Sequence, residues 1–256
     1  MSSSMRTILI IGGTSGIGEA FAKRWHSAGK KLVLTGRREA RLKELEAELP
    51  GTRTYAFDIT DLKAVPGHVK ALFEKNPDID TVWINSGKGN LYSIKDPSSF
   101  PDEAVIDEIN TNITGPMIIA RHTIPKLLAK STPTNFLITS SGLGYAPNGT
   151  FPTYPPGKAF IHHYMAGIRG ALKDTNVNVI EIVPPMVRTD FHQQYSEVSK
   201  GIPCMSLEDF VNDTFKQLDG NKAEDLKEVA AGSAQERVDF WRAGPGKYME
   251  KMKIPG

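Results

Sequence analysis

Short, continuously apolar runs alternate with amphipathic stretches along most of the chain. Apolar residues at every third or fourth position predict helices at 16–29, 39–49, 62–75, about 102–130, 159–173 and 207–218. The apolar runs, rich in Val and Ile, predict strands at 7–12, 31–36, 53–58, 80–85, 134–140 and 176–184, with a weak seventh at 227–232. Strands that are apolar throughout are buried on both faces, so the pattern predicts an α/β fold with a doubly wound parallel sheet in three layers.

The chain shows no internal repeat, low-complexity tract or linker, and we therefore predict a single domain over residues 1–256. Its least regular segment, 188–206, precedes the helix predicted at 207–218. Long irregular loops in compact domains tend to be functional. We therefore expect a substrate lid around 188–218.

Composition narrows the classes of function. The 31 basic and 29 acidic residues leave a net charge of only +2, so neither nucleic acid nor a membrane surface is expected as a partner. The chain has no run of about 18 apolar residues that would indicate a transmembrane span. The first residues, MSSSMRTILIIGG, are typical of a short tail before a strand rather than of a signal peptide. The single cysteine, Cys204, excludes an intrachain disulfide and fits a reducing compartment, so we expect a cytoplasmic protein.

A glycine-rich segment, IIGGTSGIGEAF, lies between the first predicted strand and the first predicted helix. Glycines at 12, 16 and 18 allow a tight turn and a close approach of the backbone to a pyrophosphate, which the free N–H groups of the helix can bind. A plain strand–helix turn is the alternative, but it would not require three glycines. The segment therefore predicts a dinucleotide site.

The end of the second predicted strand indicates which dinucleotide binds. An NAD site usually has a carboxylate there, whereas this chain has Thr35, Gly36, Arg37 and Arg38. A planar guanidinium can donate two hydrogen bonds to a 2′-phosphate and stack on adenine. We therefore predict NADP(H), with Arg37 as the main phosphate ligand and Arg38 or Ser15 assisting. The alternative is that both arginines only solvate the start of a helix.

Six further motifs follow the glycine segment along the chain. They are Asp58-Ile59, Ile84-Asn85-Ser86-Gly87, Asn112 in INTNITGP, Ser141 in ITSSG, Tyr154 with Lys158, and Pro184-Pro185-Met186-Val187-Arg188-Thr189. In this order and spacing, over roughly residues 6–190, the chain resembles the short-chain dehydrogenase/reductase family in its short single-domain branch. The resemblance implies a Rossmann-type fold and a bound nicotinamide cofactor.

The resemblance also implies which residues bind the cofactor, with Val187 and Thr189 on its carboxamide. The full set is Gly12, Thr14, Ser15, Gly16, Ile17, Gly18, Arg37, Arg38, Asp58, Ile59, Asn85, Ser86, Gly87, Tyr154, Lys158, Pro184, Val187 and Thr189. Pro185 departs from the family by replacing a glycine. Ile11 and Ile84 replace polar residues that join the first and fourth strands in the family. Replacing both partners of a hydrogen bond by apolar groups can be nearly neutral, so we expect these two isoleucines to form one apolar patch.

Tyr154 and Lys158 are separated by four positions, which puts both side chains on the same face of a helix. Pro155 and Pro156 lie between them. Prolines are tolerated in the first helical turn, where the N–H groups have no partner within the helix. We therefore expect Thr153 to cap the helix and Tyr154 to begin it, although residues before proline disfavour the helical region.

The resemblance assigns a role to each catalytic candidate. A free tyrosine, with a pKa of about 10, is a poor base at neutral pH, but a nearby ammonium and an oxidised nicotinamide favour the phenolate. Tyr154 would be the general acid in reduction and the general base in oxidation. Ser141 would hydrogen-bond the substrate oxygen, and Lys158 would hold the nicotinamide ribose. Asn112 would position a water that links Lys158 to solvent.

The expected substrate is a bulky, largely apolar ketone, aldehyde or secondary alcohol, because the candidate pocket walls are apolar and aromatic. These walls are Leu91, Leu143, Tyr145, Phe151, Met186, Phe191 and Tyr195. We expect no metal, and His162 and His163 are interpreted as packing or interface residues. Family members are commonly dimers or tetramers, so a homodimer or homotetramer is expected by resemblance.

Two functions from different classes fit these motifs. The first is an NADPH-dependent carbonyl reductase or alcohol dehydrogenase. The alternative is a non-catalytic dinucleotide-binding protein that acts as a redox sensor or scaffold. Retention of Asn112, Ser141, Tyr154 and Lys158 favours the enzyme.

Overall fold

The computed structural model describes residues 5–252 except 147, 148, 150, 194, 196 and 198. Within this part of the chain, a seven-stranded sheet has the order β3-β2-β1-β4-β5-β6-β7. All neighbouring strands are parallel. The strands are β1 (Thr7–Ile11), β2 (Lys31–Gly36), β3 (Arg53–Ala56), β4 (Thr81–Ile84), β5 (Thr134–Thr139), β6 (Val177–Val183) and β7 (Glu228–Ala230). The order reverses between β1 and β4, as a doubly wound fold requires.

Helices cover both faces of the sheet. They are α1 (Gly16–Ser27), α2 (Glu39–Glu48), α3 (Val65–Lys75), α4 (Asp102–Ile109), α5 (Gly115–Leu128), α6 (Tyr154–Ala171), α7 (Asp190–Gln193), α8 (Leu207–Gly220), α9 (Ser233–Trp241) and α10 (Lys247–Lys251). None of the helices in the described residues is long and apolar enough to cross a membrane. The sheet and its helices form the predicted single domain with a Rossmann-like fold.

Alternate side chains of each strand pack into two separate cores. In β1, Ile8 and Ile10 belong to a core with α1, α2 and α8, whereas Leu9 and Ile11 belong to a core with α3, α5 and α6. This division follows from the two-residue period of a strand. It explains why the strands are apolar at nearly every position.

Aromatic rings fill the core on the α1 side of the sheet. Phe21 lies 4.7 Å from Trp83 and 5.5 Å from Trp25 between ring centroids, and both tryptophans are fully buried. The indole N–H of Trp83 donates to Thr139 Oγ1 over 2.9 Å. Trp83 thus supports the end of β5, which leads directly into the candidate site.

Ile11 and Ile84 form one apolar patch, as predicted. They are register partners on β1 and β4, each is only 1% exposed, and both belong to the core against α3, α5 and α6. Neither position therefore leaves a buried polar group without a partner.

The helix expected over 102–130 is interrupted. A π-helical turn, Asn110–Thr114, separates α4 from α5. Pro116 has no N–H and cannot donate to the carbonyl of Asn112 four residues earlier, which accounts for a break in the regular helix at this point.

The lid predicted around 188–218 is too long at its C-terminal end. Four residues of α8 are in the core packed on α1, namely Phe210, Val211, Phe215 and Leu218. A helix with this much buried apolar surface cannot lift as a lid without opening the core. Only 188–206 remains as a candidate cover, and within it residues 194, 196 and 198 lie outside the described residues.

Candidate active site

The glycine segment forms a tight turn between β1 and α1. Gly12 has φ +89°, and a Cβ there would lie 2.7 Å from the backbone N of Ser86. A Cβ on Gly18 would lie 2.1 Å from the carbonyl oxygen of Gly12. Only residues without a side chain let α1 start this close to the chain that follows β1 and β4.

The start of α1 presents backbone N–H groups that have no partner within the helix to the glycine turn. Ser15 occupies the position before the helix with extended backbone, and its side chain makes no capping hydrogen bond. The amide groups of the first helical turn have no partner within the helix, and such groups bind anions such as a pyrophosphate. The glycine turn and the start of α1 therefore have the geometry of a phosphate cradle.

Arg37 and Arg38, the arginines predicted to bind the 2′-phosphate, differ in how firmly the protein holds their side chains. Arg38 is tied to the cradle, because its Nη2 lies 3.1 Å from both the carbonyl oxygen and Oγ1 of Thr14. The side chain of Arg37 is 66% exposed, and its Nη1 lies 3.5 Å from Asp58 Oδ2. Burial raises the pKa of Asp58, but hydrogen bonds from Thr60 and the nearby Arg37 outweigh it and hold that pKa below its ordinary value. Arg37 is therefore the accessible cation at this edge, with a charged carboxylate beside it.

Asn85 joins the ends of three strands. Its Nδ2 donates to the carbonyl of Gly12 over 3.2 Å, and its Oδ1 accepts from Thr139 Oγ1 over 2.9 Å. These bonds connect the residues that follow β1 and β4 with the end of β5. Asn85 therefore helps to set the spacing between the glycine turn and the residues after β5.

Ser141, Tyr154 and Lys158 lie close together. Ser141 follows β5, and its side chain hydrogen-bonds the hydroxyl of Tyr154 at the start of α6. Lys158 Nζ lies 5.5 Å from the centre of the Tyr154 ring and donates to the carbonyl of Thr139 over 2.9 Å. The ends of β5 and α6 thus hold a hydroxyl, a phenol and an amine in one group.

Helix α6 begins at Tyr154, so both prolines lie in its first turn. Gly157 N donates to the carbonyl of Thr153 over 3.0 Å. The expected side-chain cap by Thr153 is absent, because its hydroxyl instead hydrogen-bonds the hydroxyl of Tyr92. The prolines remove no helical hydrogen bond here, and the face that carries Tyr154 and Lys158 is intact.

Burial shifts the protonation of Tyr154 and Lys158 in opposite directions. It lowers the pKa of Lys158 to about 8, although the charge of Glu181 acts against the shift. It raises the pKa of Tyr154 above its ordinary value, although the hydrogen bond from Ser141 acts against it. In the protein alone the phenol is therefore neutral and able to donate a proton, and the expected lowering of its pKa is not present.

Asn112 approaches Lys158 from the π-helical turn. Its Oδ1 accepts from the backbone N of Lys88 over 3.1 Å, and its Nδ2 donates to the carbonyl of Lys88 over 2.6 Å. A Cβ on Gly87 would lie 3.6 Å from both Asn112 Oδ1 and Lys158 Nζ. The four predicted catalytic residues therefore lie around the chain that follows β4.

The segment after β6 closes the opposite side of the cradle. Pro184 accepts from the backbone N of Gly142 over 2.9 Å, and Val187 pairs with Met205 in an isolated bridge. The Thr189 side chain lies 3.5 Å from the position of a Cβ on Gly16. The predicted carboxamide ligands, Val187 and Thr189, are thus carried to the edge where the glycine turn lies.

Three of the predicted substrate residues pack around Tyr154, and we call Phe151, Phe191 and Tyr195 the aromatic cover. Phe151 and Phe191 lie 6.3 Å and 5.6 Å from Tyr154 between ring centroids, and Tyr195 lies 5.1 Å and 5.3 Å from these two rings. The hydroxyl of Tyr195 donates to the carbonyl of Gly89. Leu143 and Met186 are half-buried at the ends of β5 and β6.

Tyr145, also predicted as a substrate residue, packs outside this group of rings. Its hydroxyl donates to Glu181 Oε1 over 3.1 Å, and its ring centre lies 4.3 Å from that of His162. The acceptor is a fully buried carboxylate, so the hydroxyl of Tyr145 is committed to Glu181.

Two buried carboxylates near the site were not predicted. Glu181 lies within β6, and Glu108 lies one helical turn before Asn112 with its Oε2 2.6 Å from Asn90 Nδ2. Burial raises the pKa of Glu108. An acid inside the apolar strand NVNVIEIVP was the available signal for Glu181, since a charge is buried only with partners. Glu108 follows other acids in α4 and carries no such signal.

Comparison with known proteins supports the interpretation of these motifs. The family model described as short chain dehydrogenase matches residues 6–200. The oxidoreductase DltE of Bacillus subtilis (strain 168) is 30% identical over 98% of this chain and 98% of its own length. Serine 3-dehydrogenase of Agrobacterium fabrum is 34% identical over 80% of this chain and 85% of its own length.

Solved structures share the same fold. The closed form of serine dehydrogenase complexed with NADP+ superposes with a TM-score of 0.77 at 22% identity, covering 88% of this chain and 94% of that one. A short-chain dehydrogenase from Sphingobium yanoikuyae in complex with NADPH gives 0.77 at 21% identity, covering 94% and 95%. The chain therefore belongs to the short-chain dehydrogenase family and is an oxidoreductase of that family.

Proposed function

We propose that this protein is an NADPH-dependent oxidoreductase that interconverts a carbonyl group and a secondary alcohol. The observation that carries the proposal is the group formed by Ser141, Tyr154 and Lys158 beside the glycine turn, with Asn112 next to Lys158. A phenol hydrogen-bonded by a serine, next to a buried amine, is suited to proton transfer at a substrate oxygen.

The residues present fit a dinucleotide. The close approach at Gly12 and Gly18 leaves the first turn of α1 open to a pyrophosphate, and a side chain at either glycine would clash with backbone atoms. Arg37 would bind the 2′-phosphate, with Arg38 holding the cradle through Thr14. The neighbours solved with NADP+ and with NADPH support this choice. When bound, the nicotinamide supplies hydride chemistry.

Each side chain of the catalytic group has a separate role in proton transfer. Tyr154 donates its proton to the carbonyl oxygen in reduction and takes it back in oxidation. Ser141 donates to the same oxygen, which stabilises the charge that develops there. Lys158 would hold the ribose of a bound nicotinamide nucleotide and, while charged, favours loss of the Tyr154 proton. Asn112 holds the chain at Lys88 and, with it, the approach to Lys158.

The aromatic cover favours an apolar group next to the reacting carbon. Its three rings pack against Tyr154 and one another, and residues of this kind bury apolar ligands well. We therefore propose a bulky ketone, aldehyde or secondary alcohol. Aryl and alicyclic ketones are the matching test compounds, and serine and sulfoacetaldehyde, which name the reactions of two relatives, are the comparison.

The proposal also includes a homo-oligomeric state and a cytoplasmic location. Ile106 is 56% exposed and Phe160 39% exposed on α4 and α6, which are the helices that the family resemblance assigns to subunit contacts. A homodimer or homotetramer through this face would cover both side chains. Cys204 is a free thiol in the described structure, and this fits the reducing conditions of the cytoplasm.

Tyr154→Phe tests the proposed chemistry. Loss of the proton donor should lower kcat by about 100-fold to 10,000-fold while NADPH binding is unchanged. Turnover is followed by NADPH absorbance across the ketone panel, and NADPH binding by nicotinamide fluorescence.

Tyr164→Phe, further along α6, is the matched control and should retain wild-type turnover. Full turnover by Tyr154→Phe would refute the assignment of the proton donor. NADPH binding without turnover of any compound by the wild type would favour the non-catalytic sensor or scaffold instead.

A further inference from the structure

Glu181 is a fully buried carboxylate in the middle of β6. Three side chains hydrogen-bond it: Ser140 Oγ and the Tyr145 hydroxyl donate to Oε1, the latter over 3.1 Å, and His162 Nδ1 lies 2.9 Å from Oε2. Burying a charge is costly unless it is paired and hydrogen-bonded. A carboxylate with this many partners has a specific structural task.

The partners of Glu181 belong to the two segments that carry the catalytic group. Ser140 immediately precedes Ser141 at the end of β5, and His162 lies one helical turn after Lys158 on α6. Residues four apart share a helix face, so the bond to His162 acts on the face that carries Lys158. One carboxylate thereby connects both sides of the site from the sheet.

We propose that Glu181 is a positioning residue for the reaction, whose carboxylate links Ser140 to His162 and so sets Ser141 against Tyr154 and Lys158. Its negative charge also stabilises the charged form of Lys158. The proposal rests on the proposed function for its catalytic consequence, whereas its electrostatic consequence does not.

Glu181 remains charged in the folded protein. Burial raises its pKa, but the hydrogen bonds from His162 and Ser140 and the charge of Arg169 outweigh burial and bring the pKa below its ordinary value. For Lys158, burial lowers the pKa to about 8, and Glu181 is the charge that opposes this shift. Removing the charge of Glu181 should therefore make Lys158 lose its proton at a lower pH.

The other charges around Glu181 are largely paired with one another. Arg169 of α6 lies 3.2 Å from Glu228 of β7, and Arg242, which follows α9, lies 2.5 Å from the same carboxylate. Lys227 precedes Glu228, and burial, together with the charges of the two arginines, lowers the pKa of Lys227. Two guanidinium groups on Glu228 leave Glu181 as the carboxylate that acts on Lys158.

A metal centre would be a different interpretation of the same residues. Atoms of His162, Glu181 and Glu228 lie within 4.8 Å of one another. The oxygens of Glu228 accept from Arg169 and Arg242, however, and both oxygens of Glu181 have partners. Guanidinium groups in these positions would repel a metal cation, so the donor set favours a hydrogen-bonded charge.

Glu181→Gln separates charge from shape. The amide oxygen can still accept from Ser140 and Tyr145, and the amide N–H can donate to His162 Nδ1 once the imidazole carries its proton on Nε2, so the shape of the group is retained. We expect kcat to fall on the order of tenfold to a hundredfold, with NADPH binding unchanged. The alkaline limb of the kcat/KM profile should move to lower pH.

The titration of Lys158 is measured without turnover, from the Nζ chemical shift in protein labelled with ¹⁵N-lysine and assigned with Lys158→Arg. In Glu181→Gln this titration should move below its wild-type midpoint. Tyr145→Phe removes one hydrogen bond and keeps the charge, so it should leave the midpoint in place. An unchanged midpoint in Glu181→Gln overturns the electrostatic part of the proposal, even if the wild type turns over no substrate.

Ser140→Ala tests the positioning part on its own and covers the case in which Glu181→Gln does not fold. Glu181 Oε1 keeps the hydrogen bond from Tyr145, so the carboxylate remains partnered. We expect kcat to fall while NADPH binding and the Lys158 midpoint remain as in the wild type. A wild-type kcat in Ser140→Ala overturns the positioning role.

Discussion

Arg37 and Arg38 differ in accessibility at the end of the site that would bind the adenosine, and this difference gives them different roles. Arg38 hydrogen-bonds Thr14 and is already committed to the protein, whereas Arg37 is mostly exposed beside Asp58. An exposed ion pair contributes little to stability, so Arg37 can exchange its partner at low cost. A phosphate dianion offers it a stronger acceptor than a single carboxylate.

Arg37→Ala should therefore change the choice of cofactor with little change in folding. Losing a charge-assisted hydrogen bond lowers the affinity for NADPH by about 10-fold to 100-fold, while the affinity for NADH, which lacks the 2′-phosphate, stays the same. Fluorescence titration with both cofactors measures the ratio. Lys43→Ala removes a cation from the neighbouring helix α2 as a control. Equal losses for NADPH and NADH would rule out a 2′-phosphate contact.

Helix α1 and its glycine turn illustrate how close packing of elements creates a binding surface. The Gly18 Cα lies so near the carbonyl of Gly12 that a Cβ would lie at 2.1 Å. The obstructing atom is backbone and cannot rotate away. The spacing between β1 and α1 is therefore set by the absence of a side chain.

Gly18→Ala should push α1 away from the turn. Forcing a methyl group into a packed site costs about 1–3 kcal/mol of unfolding free energy, and NADPH binding should weaken with the loss of the cradle. Urea unfolding and nicotinamide fluorescence measure the two effects.

Gly67→Ala in α3 is the matched control, because its Cβ would have no atom within 4 Å. It should be neutral or slightly stabilising, since alanine restricts the unfolded chain. Wild-type stability and NADPH affinity in Gly18→Ala would contradict the close approach.

The pattern of apolar residues along the sequence predicts most of the helices and strands. The strand predicted at 31–36 has the same bounds as β2, and Trp25 and Trp83 are core residues. The interruption at Asn110–Thr114 and the direction of Tyr145 depend on partners that the pattern does not contain. Tyr145 is held by Glu181, 36 residues away, and a strand pattern carries no information on such a contact.

Across the molecule, contacts between distant segments close the site. The hydroxyl of Tyr195 donates to Gly89, 106 positions earlier in the chain. A Cβ on Gly89 would lie 3.1 Å from Phe191 and 3.3 Å from Tyr154, so the loop after β4 packs directly against the aromatic cover. The bridge between Val187 and Met205 fixes the ends of the segment 188–206, which carries Phe191 and Tyr195 of the aromatic cover. Among the described residues of this segment, Tyr195 ties its centre to the loop after β4, and we propose that releasing this hydrogen bond lets the segment open.

Tyr195→Phe should loosen the cover without altering the proton chemistry. Loss of about 1 kcal/mol from one hydrogen bond corresponds to roughly a fivefold rise in the KM of an apolar ketone. The affinity for NADPH and the pH dependence should stay unchanged. Steady-state kinetics provide the measurement. Tyr248→Phe, at a side chain that is 61% exposed, is the control, and equal KM values in both variants would exclude a closing role for Tyr195.

The π-helical turn at Asn110–Thr114 places a constraint on chain length. A π-helical turn holds one more residue than a regular turn, and one residue rotates a helix by about 100°. The extra residue is accommodated within this turn, so α5 keeps the phase that directs its buried positions, including Ile119 and Leu127, to the sheet. Deleting a residue within the turn would convert it to a regular helical turn, whereas deleting one inside α5 would rotate the rest of that helix away from the sheet. A deletion within the turn would therefore spare the core packing of α5 and disturb the Asn112 contact.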